Sequence, residues 1–253
     1  MGGLAGMFAG LLGIGGGIII VPVLVVVFTA QGVSIDVLMH VAIGTSLATI
    51  IVTSLSSIRS HQKHQAIEWS VVRLMSVGVF SGGLLGATIA KFIPGDALKT
   101  IFSIFMFLIA GQMFFGNAAK PHRTLPRKPG LVFSGVLIGI IATLMGVGGG
   151  SLSVPFLTWC NMNIRKAVAT SAAIGFPIAV SGTLGFIVTG WSVADRPVMS
   201  LGYVNLPAFI SIVIASVLSA PLGAWIAHRI PPATLKKVFA VFLLILAIKM
   251  LLT

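Results

Sequence analysis

Gly13-Ile14-Gly15-Gly16-Gly17-Ile18-Ile19-Ile20-Val21-Pro22-Val23-Leu24 recurs 133 positions later as Gly146-Val147-Gly148-Gly149-Gly150-Ser151-Leu152-Ser153-Val154-Pro155-Phe156-Leu157. One template, G-x-G-G-G-x-x-x-V-P-x-L, fits both copies. Each copy sits inside a long apolar run, where unpaired backbone is least tolerable. Glycine costs about 1 kcal/mol and proline about 3 kcal/mol in a helix interior, so each copy predicts a broken helix. Gly13, Pro22, Gly146 and Pro155 are the expected breaks or hinges.

Around these two stretches the chain reads as membrane throughout. Hydrophobic residues make up 57% of the 253, charged residues 8%, and mean hydropathy is +1.12; a soluble domain could not hide that much apolar surface. The 16 Lys and Arg against 4 Asp and Glu give a net charge of +12. These cations fall in the gaps between apolar runs, so they read as topology signals beside anionic lipid, not as nucleic-acid contacts. Cys160 is the single cysteine, which excludes an intramolecular disulfide and a cysteine metal cluster. Met1-Gly2-Gly3-Leu4 carries no basic n-region, so no cleavable signal is expected.

Between the two copies, spans are expected at Val37–Ile58, Ile67–Phe92 and Ala97–Phe115, with a basic loop from Arg59 to Gln65. After the second copy they are expected at 167–188, Tyr203–Ala227 and Ala233–Thr253. The duplication extends further: Gly86 to Lys99 aligns with Gly223 to Lys236, through Ile93-Pro94 and Ile230-Pro231. This divides the chain into a first repeat, 1–116, a basic linker, 117–130, and a second repeat, 131–253.

The cations decide whether the repeats run parallel or inverted. If each broken run spans once, the two sides collect nine and seven. If each re-enters, Arg59, Lys63, Arg73, Lys120, Arg123, Arg127, Lys128, Arg165, Lys166, Arg229, Lys236 and Lys237 share one side. Lys91, Lys99, Arg196 and Lys249 then lie opposite. Twelve to four is a positive-inside distribution. The expected fold is an all-α polytopic membrane protein of two inverted repeats, each a broken or re-entrant helical element plus three transmembrane helices, with the linker cytoplasmic. A half-run of ~12 helical residues rises roughly 18 Å, enough to reach the midplane.

A helix N-terminus at the midplane presents free N–H groups and about half a positive charge, a seat for an anion. Gly15, Gly16, Gly17, Gly148, Gly149, Gly150 and Ser151 would let a ligand touch the main chain; the plainer alternative is tight helix packing. Thr45-Ser46 and Thr170-Ser171 occupy corresponding places in the two halves. Their hydroxyls suit anion oxygens, though such groups also bond their own backbone. His40 is expected at the membrane interface, and Asn161 and Asn163 in a loop. Asp36, Glu68, Asp96 and Asp195 all fall in loops or at helix ends, which leaves no carboxylate pair, metal cage or acidic proton relay in the membrane core. With no phosphate-binding Walker loop either, the chain reads as neither an enzyme nor an ATP-driven pump, and needs no cofactor.

The doubled glycine template, each copy followed by a helix with a Thr-Ser step, resembles the TauE/SafE, or sulfite exporter, family of membrane permeases. The resemblance implies a secondary transporter of small sulfur-containing anions, sulfite or an organosulfonate such as sulfoacetate, in the bacterial inner membrane. Export by alternating access is the expected activity; a passive anion channel and an uptake permease are the alternatives. The glycine and alanine faces suit contacts within or between chains, so a homodimer stays open.

Overall fold

The computed structural model describes residues 17–115, 124–216 and 232–252. Gly13, Gly15, Gly16 and half of the central linker, residues 117–123, lie outside the described residues. The elements are α1 (Gly17–Ala30), α2 (Ile35–Lys63), α3 (Trp69–Lys91), α4 (Gly95–Phe115), α5 (Lys128–Leu144), α6 (Gly150–Trp159) and α7 (Ile164–Thr189). Two-residue strands β1 (Ser200–Leu201) and β2 (Val204–Asn205) follow, then α8 (Leu206–Ser216) and α9 (Pro232–Leu252). Helices dominate because each satisfies its own backbone, the requirement that hydrocarbon imposes. By length and composition α2, α3, α4 and α7 can each cross a membrane, while α1, α5 and α8 are shorter apolar helices.

Burial places these helices in the cross-section. The most apolar window of α2 is 78% buried, against 28% for α4. So α2 is the central post and α4 an outer helix, whose exposed Ile101, Ile104 and Leu108 suit lipid. The helix of α2 runs five residues past Ile58, through the stretch expected to be a basic loop. At 29 residues it rises about 43 Å, so its last turns, with Arg59, His61 and Lys63, extend beyond a hydrocarbon core of ~30 Å.

Glycine faces set the relative directions. Methyl groups at Gly78, Gly82 and Gly86 of α3 would lie 2.1, 2.2 and 2.8 Å from the carbonyl oxygens of Val132, Val136 and Ile140 of α5. Both series advance by four in the same sense, so α3 and α5 are parallel and nearly in backbone contact. Gly83 meets Ser181 and Gly185 meets Ala87, which makes α3 and α7 parallel as well. Against α2 the order reverses: Gly44 meets Phe186 and Gly182 meets Leu47.

From these directions the course of the second broken run follows. α5 climbs beside α3, the chain reverses at residues 145–149, and α6 descends to the Cys160–Asn163 turn that starts α7. The first turns of α7 lie at the end where α3 begins: Lys166 pairs with Glu68 at 2.5 Å. Hence the α5–α6 unit re-enters, ending at the face where it started. α1 leaves the same central region toward residues 31–34, where α2 begins, so α1 and α6 depart toward opposite ends.

Three local features differ from expectation. The helix expected from Tyr203 starts at Leu206, because residues 200–205 fold into a small hairpin pairing Ser200 with Asn205 and Leu201 with Val204. Gly202, at φ +58°, turns the hairpin, and Asn205 Oδ1 accepts from Ala208 N–H at the start of α8. His40 is more enclosed than an interfacial position required: near the start of α2, it is 4% exposed, its Nε2 lies 2.9 Å from the Ala90 carbonyl, and its ring stacks on Tyr203 at 5.0 Å. Asn163 does more than fill a loop, since its side chain caps α7 by accepting from Arg165 N–H. The acids lie where expected: Asp36 and Asp96 in first turns, Glu68 as an N-cap, where the helix dipole favours negative charge.

Candidate functional site

The reversal between α5 and α6 begins with a helix ending that satisfies itself. Gly146 adopts φ +60°, its N–H donates to the Thr143 carbonyl, and Val147 N–H donates to the Ala142 carbonyl. This paired 5→2 and 6→1 arrangement uses glycine because a side chain resists that φ. The Gly146 carbonyl is left over, and Ser46 Oγ of α2 donates to it at 2.8 Å. Gly17, the first residue of α1, packs so closely here that an added methyl would sit 2.5 Å from the same oxygen. The two template copies therefore touch one another.

Four residues on, α6 starts without such provision. Its N-cap is Gly149 and no side chain caps it. The first helical bond is Ser153 N–H to the Gly149 carbonyl, at 2.7 Å, so the N–H groups of Gly150, Ser151 and Leu152 precede the ladder. No acid lies in this turn. The Ser151 hydroxyl reaches only back toward the Gly148 carbonyl, at 3.5 Å.

Beside this end lie two hydroxyls without partners. Ser153 Oγ and Ser171 Oγ are fully buried and make no hydrogen bond. Gly149 packs between Ser171 and Gly175 of α7, and α6 runs antiparallel to α7. One turn along the same face, Ser153 therefore advances toward the turn that carries Ser171. The two orphaned hydroxyls therefore belong to the packed α6–α7 pair, one on each helix, near the uncapped helix start. A buried unmet hydroxyl costs about 1–3 kcal/mol, so the α6–α7 seam is chemically incomplete.

Of the site residues read from the sequence, Gly17, Ser46, Gly146, Gly148, Gly149, Gly150, Ser151 and Ser171 converge on this central region. Thr45 and Thr170 turn away from it. Thr45 Oγ1 accepts from Asn205 N–H at 2.9 Å, and Thr170 Oγ1 accepts from Glu68 N–H at 3.1 Å. The two donors are equivalent: Glu68 and Asn205 stand 137 positions apart, the spacing that aligns Gly86 with Gly223, and each precedes a helix. Pro22 and Pro155 are not where the chain turns. Each lies inside its helix, α1 or α6, where the missing N–H leaves the Ile18 and Ser151 carbonyls without an i+4 donor.

Ser153 is the site residue the sequence reading missed. Its signal was the template itself, whose central run of three variable positions is Ile18-Ile19-Ile20 in one copy and Ser151-Leu152-Ser153 in the other. Also unforeseen is a cavity of about 770 Å3 between the end of α1, the 31–34 turn, the loop after α7 and the start of α8. It is lined by Val23, Leu24, Phe28, Gln31, Arg196 and Asn205 among others. Through Asn205 the cavity wall is bonded to Thr45, the neighbour of Ser46.

A family model described as Sulfite exporter TauE/SafE matches residues 1–250. The chain belongs to the TauE/SafE family. It is 39% identical to a "Probable membrane transporter protein" of Haemophilus influenzae, over all of this chain and 96% of that protein. Relatives with the same description match at 28% identity in Methanocaldococcus jannaschii, over 100% of this chain and 93% of that one, and in Bacillus subtilis (YunE), over 99% and 95%. No solved structure matches the chain. The TauE/SafE chain is thus a multi-pass membrane transporter and not an enzyme, and its buried seam belongs to a protein that moves a small solute through lipid.

Proposed function

We propose that this TauE/SafE protein is a secondary transporter of small sulfur-containing anions, exporting sulfite or an organosulfonate such as sulfoacetate, with the anion held at the start of α6. The observation that carries the proposal is the uncapped, half-buried N-terminus of α6, close to the orphaned hydroxyls of Ser153 and Ser171. Free N–H groups and the positive helix end attract an anion, and two hydroxyl donors complete a shell for its oxygens. A neutral solute would leave the helix end uncompensated. Sulfur in the substrate, and export as the direction, rest on the family description.

Two inverted repeats are the arrangement we favour. α1 and α6 leave the centre in opposite directions, α2 and α7 are antiparallel, and the Thr45–Asn205 and Thr170–Glu68 bonds exchange the same contact between halves. Such repeats allow alternating access by rocking around a central site. Arg59, Lys63, Arg73, Arg127, Lys128, Arg165 and Lys166 gather at one end, against Lys91, Lys99 and Arg196 at the other. This supports a cytoplasmic linker and an inner-membrane orientation. Purified protein in liposomes tests the function: saturable flux of labelled sulfite or sulfoacetate, with counterflow, is expected. Single-channel currents would replace the transporter by a channel, and preference for a neutral solute would remove the anion seat.

A further inference from the structure

We infer that the cavity is an anion-capture vestibule whose specificity-determining residue is Arg196, holding a small oxyanion one stage away from the α6 seat; this rests on the transport proposal above. The cavity lies at the end of the molecule away from the Arg59–Lys63 and Arg165–Lys166 turns. Much of its wall is apolar, from Val23, Leu24, Val27 and Phe28 of α1 to Pro207 and Ile212 of α8. Among the described residues Arg196 is the one cation in its lining, which a transporter of neutral solutes would not need.

The setting of Arg196 is what separates it from a topology charge. Its Nε donates to the Val193 carbonyl at 2.5 Å, which orients the guanidinium and leaves the four N–H groups of the two terminal nitrogens. Among the described residues the single ion pair is Lys166–Glu68, so no carboxylate neutralises Arg196. Asp195 also lines the cavity but makes no ion pair with it. A planar fork fixed by a backbone carbonyl takes two oxygens of a sulfonate, sulfite or carboxylate side by side, which a lysine ammonium cannot do. Asn205, in the same wall, donates to Thr45 Oγ1, and Ser46 next to it holds the Gly146 carbonyl, so the vestibule wall is bonded to the region where the two template copies meet. Asp195, in the same lining, opposes retention, which suits a station the anion must leave.

The test is sulfite and sulfoacetate counterflow in liposomes by wild type, Arg196→Gln, Arg196→Lys and Asp195→Asn, with thermal unfolding of each variant. Arg196→Gln is expected to raise the half-saturation concentration about tenfold while maximal flux stays within about threefold and the unfolding temperature holds. Arg196→Lys should fall between, and Asp195→Asn should lower half-saturation. The wild-type advantage should shrink as ionic strength rises, because the vestibule is open to solvent. Unchanged half-saturation in a folded, transporting Arg196→Gln protein overturns the vestibule and leaves the α6 seat standing. So does Arg196→Lys matching wild type, since bare charge would then suffice. If wild type carries no anion, the transport proposal fails by itself, and equilibrium sulfite binding decides the vestibule. Binding lost in Arg196→Gln supports it, and equal or absent binding in both proteins overturns it.

Discussion

The described parts of the two glycine-template copies, residues 17–24 and 146–157, differ in what they leave unsatisfied. At the first, α1 opens with Ile18-Ile19-Ile20, of which Ile19 and Ile20 are wholly buried, and Ser46 of the following helix spends its hydroxyl on the Gly146 carbonyl. At the second, α6 opens with Ser151-Leu152-Ser153, and Ser171, the counterpart of Ser46, has no partner. Among the described residues, the first copy is therefore dry and the second has polar groups to spare. Such spare groups in a membrane interior mark a place kept for a ligand, because packing alone would favour removing them.

The largest expected effect comes from making the second copy as dry as the first. Ser153→Val with Ser171→Ala should cut anion transport at least ~100-fold, because each lost bond to a charged ligand is worth roughly 1.5–3 kcal/mol. Unfolding should show no loss of stability, since no existing hydrogen bond is removed. Loss of the fold along with flux would make these serines structural. Next comes the converse change: Ile20→Ser places a hydroxyl in a fully buried apolar site and should cost about 2–4 kcal/mol in thermal or denaturant unfolding, without improving transport. Improved transport would show both copies to be working seats.

Ser46→Ala should cost about 1–3 kcal/mol, the penalty for stranding the Gly146 carbonyl. Its effect on half-saturation should be much smaller than that of Ser171→Ala, and equal effects would erase the distinction between the copies. The smallest change is Glu68→Gln. The Lys166–Glu68 pair is 52% and 39% exposed at its side chains, so screening limits its loss to under ~1 kcal/mol, which shows as a marginal shift in unfolding.

How much of this was legible beforehand follows from the range of each interaction. The doubled template, the small faces of Gly78, Gly82 and Gly86, the acids at helix starts and the skewed cations are local patterns with direct physical meaning, and the helical course followed from them. The partners of Thr45 and Thr170 were hidden, because their donors lie 160 and 102 residues away in sequence. Prolines drew attention from the real reversal, which Gly146 makes through its positive φ, while Pro155 sits inside α6. The hairpin at 200–205 was masked by Tyr203 and Val204, apolar residues that read as the start of a span. His40 was placed at the interface because a lone histidine costs least there; its partners, the Ala90 carbonyl and the Tyr203 ring, were hidden because they lie far off in sequence.

The seat is tested most directly by locating a bound anion. Selenite matches sulfite in charge and shape and scatters X-rays anomalously, so crystals of the wild-type protein grown with it would reveal the site. A peak is expected within hydrogen-bonding distance of the Gly150–Leu152 N–H groups and the Ser153 and Ser171 hydroxyls, absent from the Ser153→Val, Ser171→Ala protein. At saturating selenite, a peak only beside Ile18–Ile20, or none within the bundle, would contradict the assignment of the second copy as the seat.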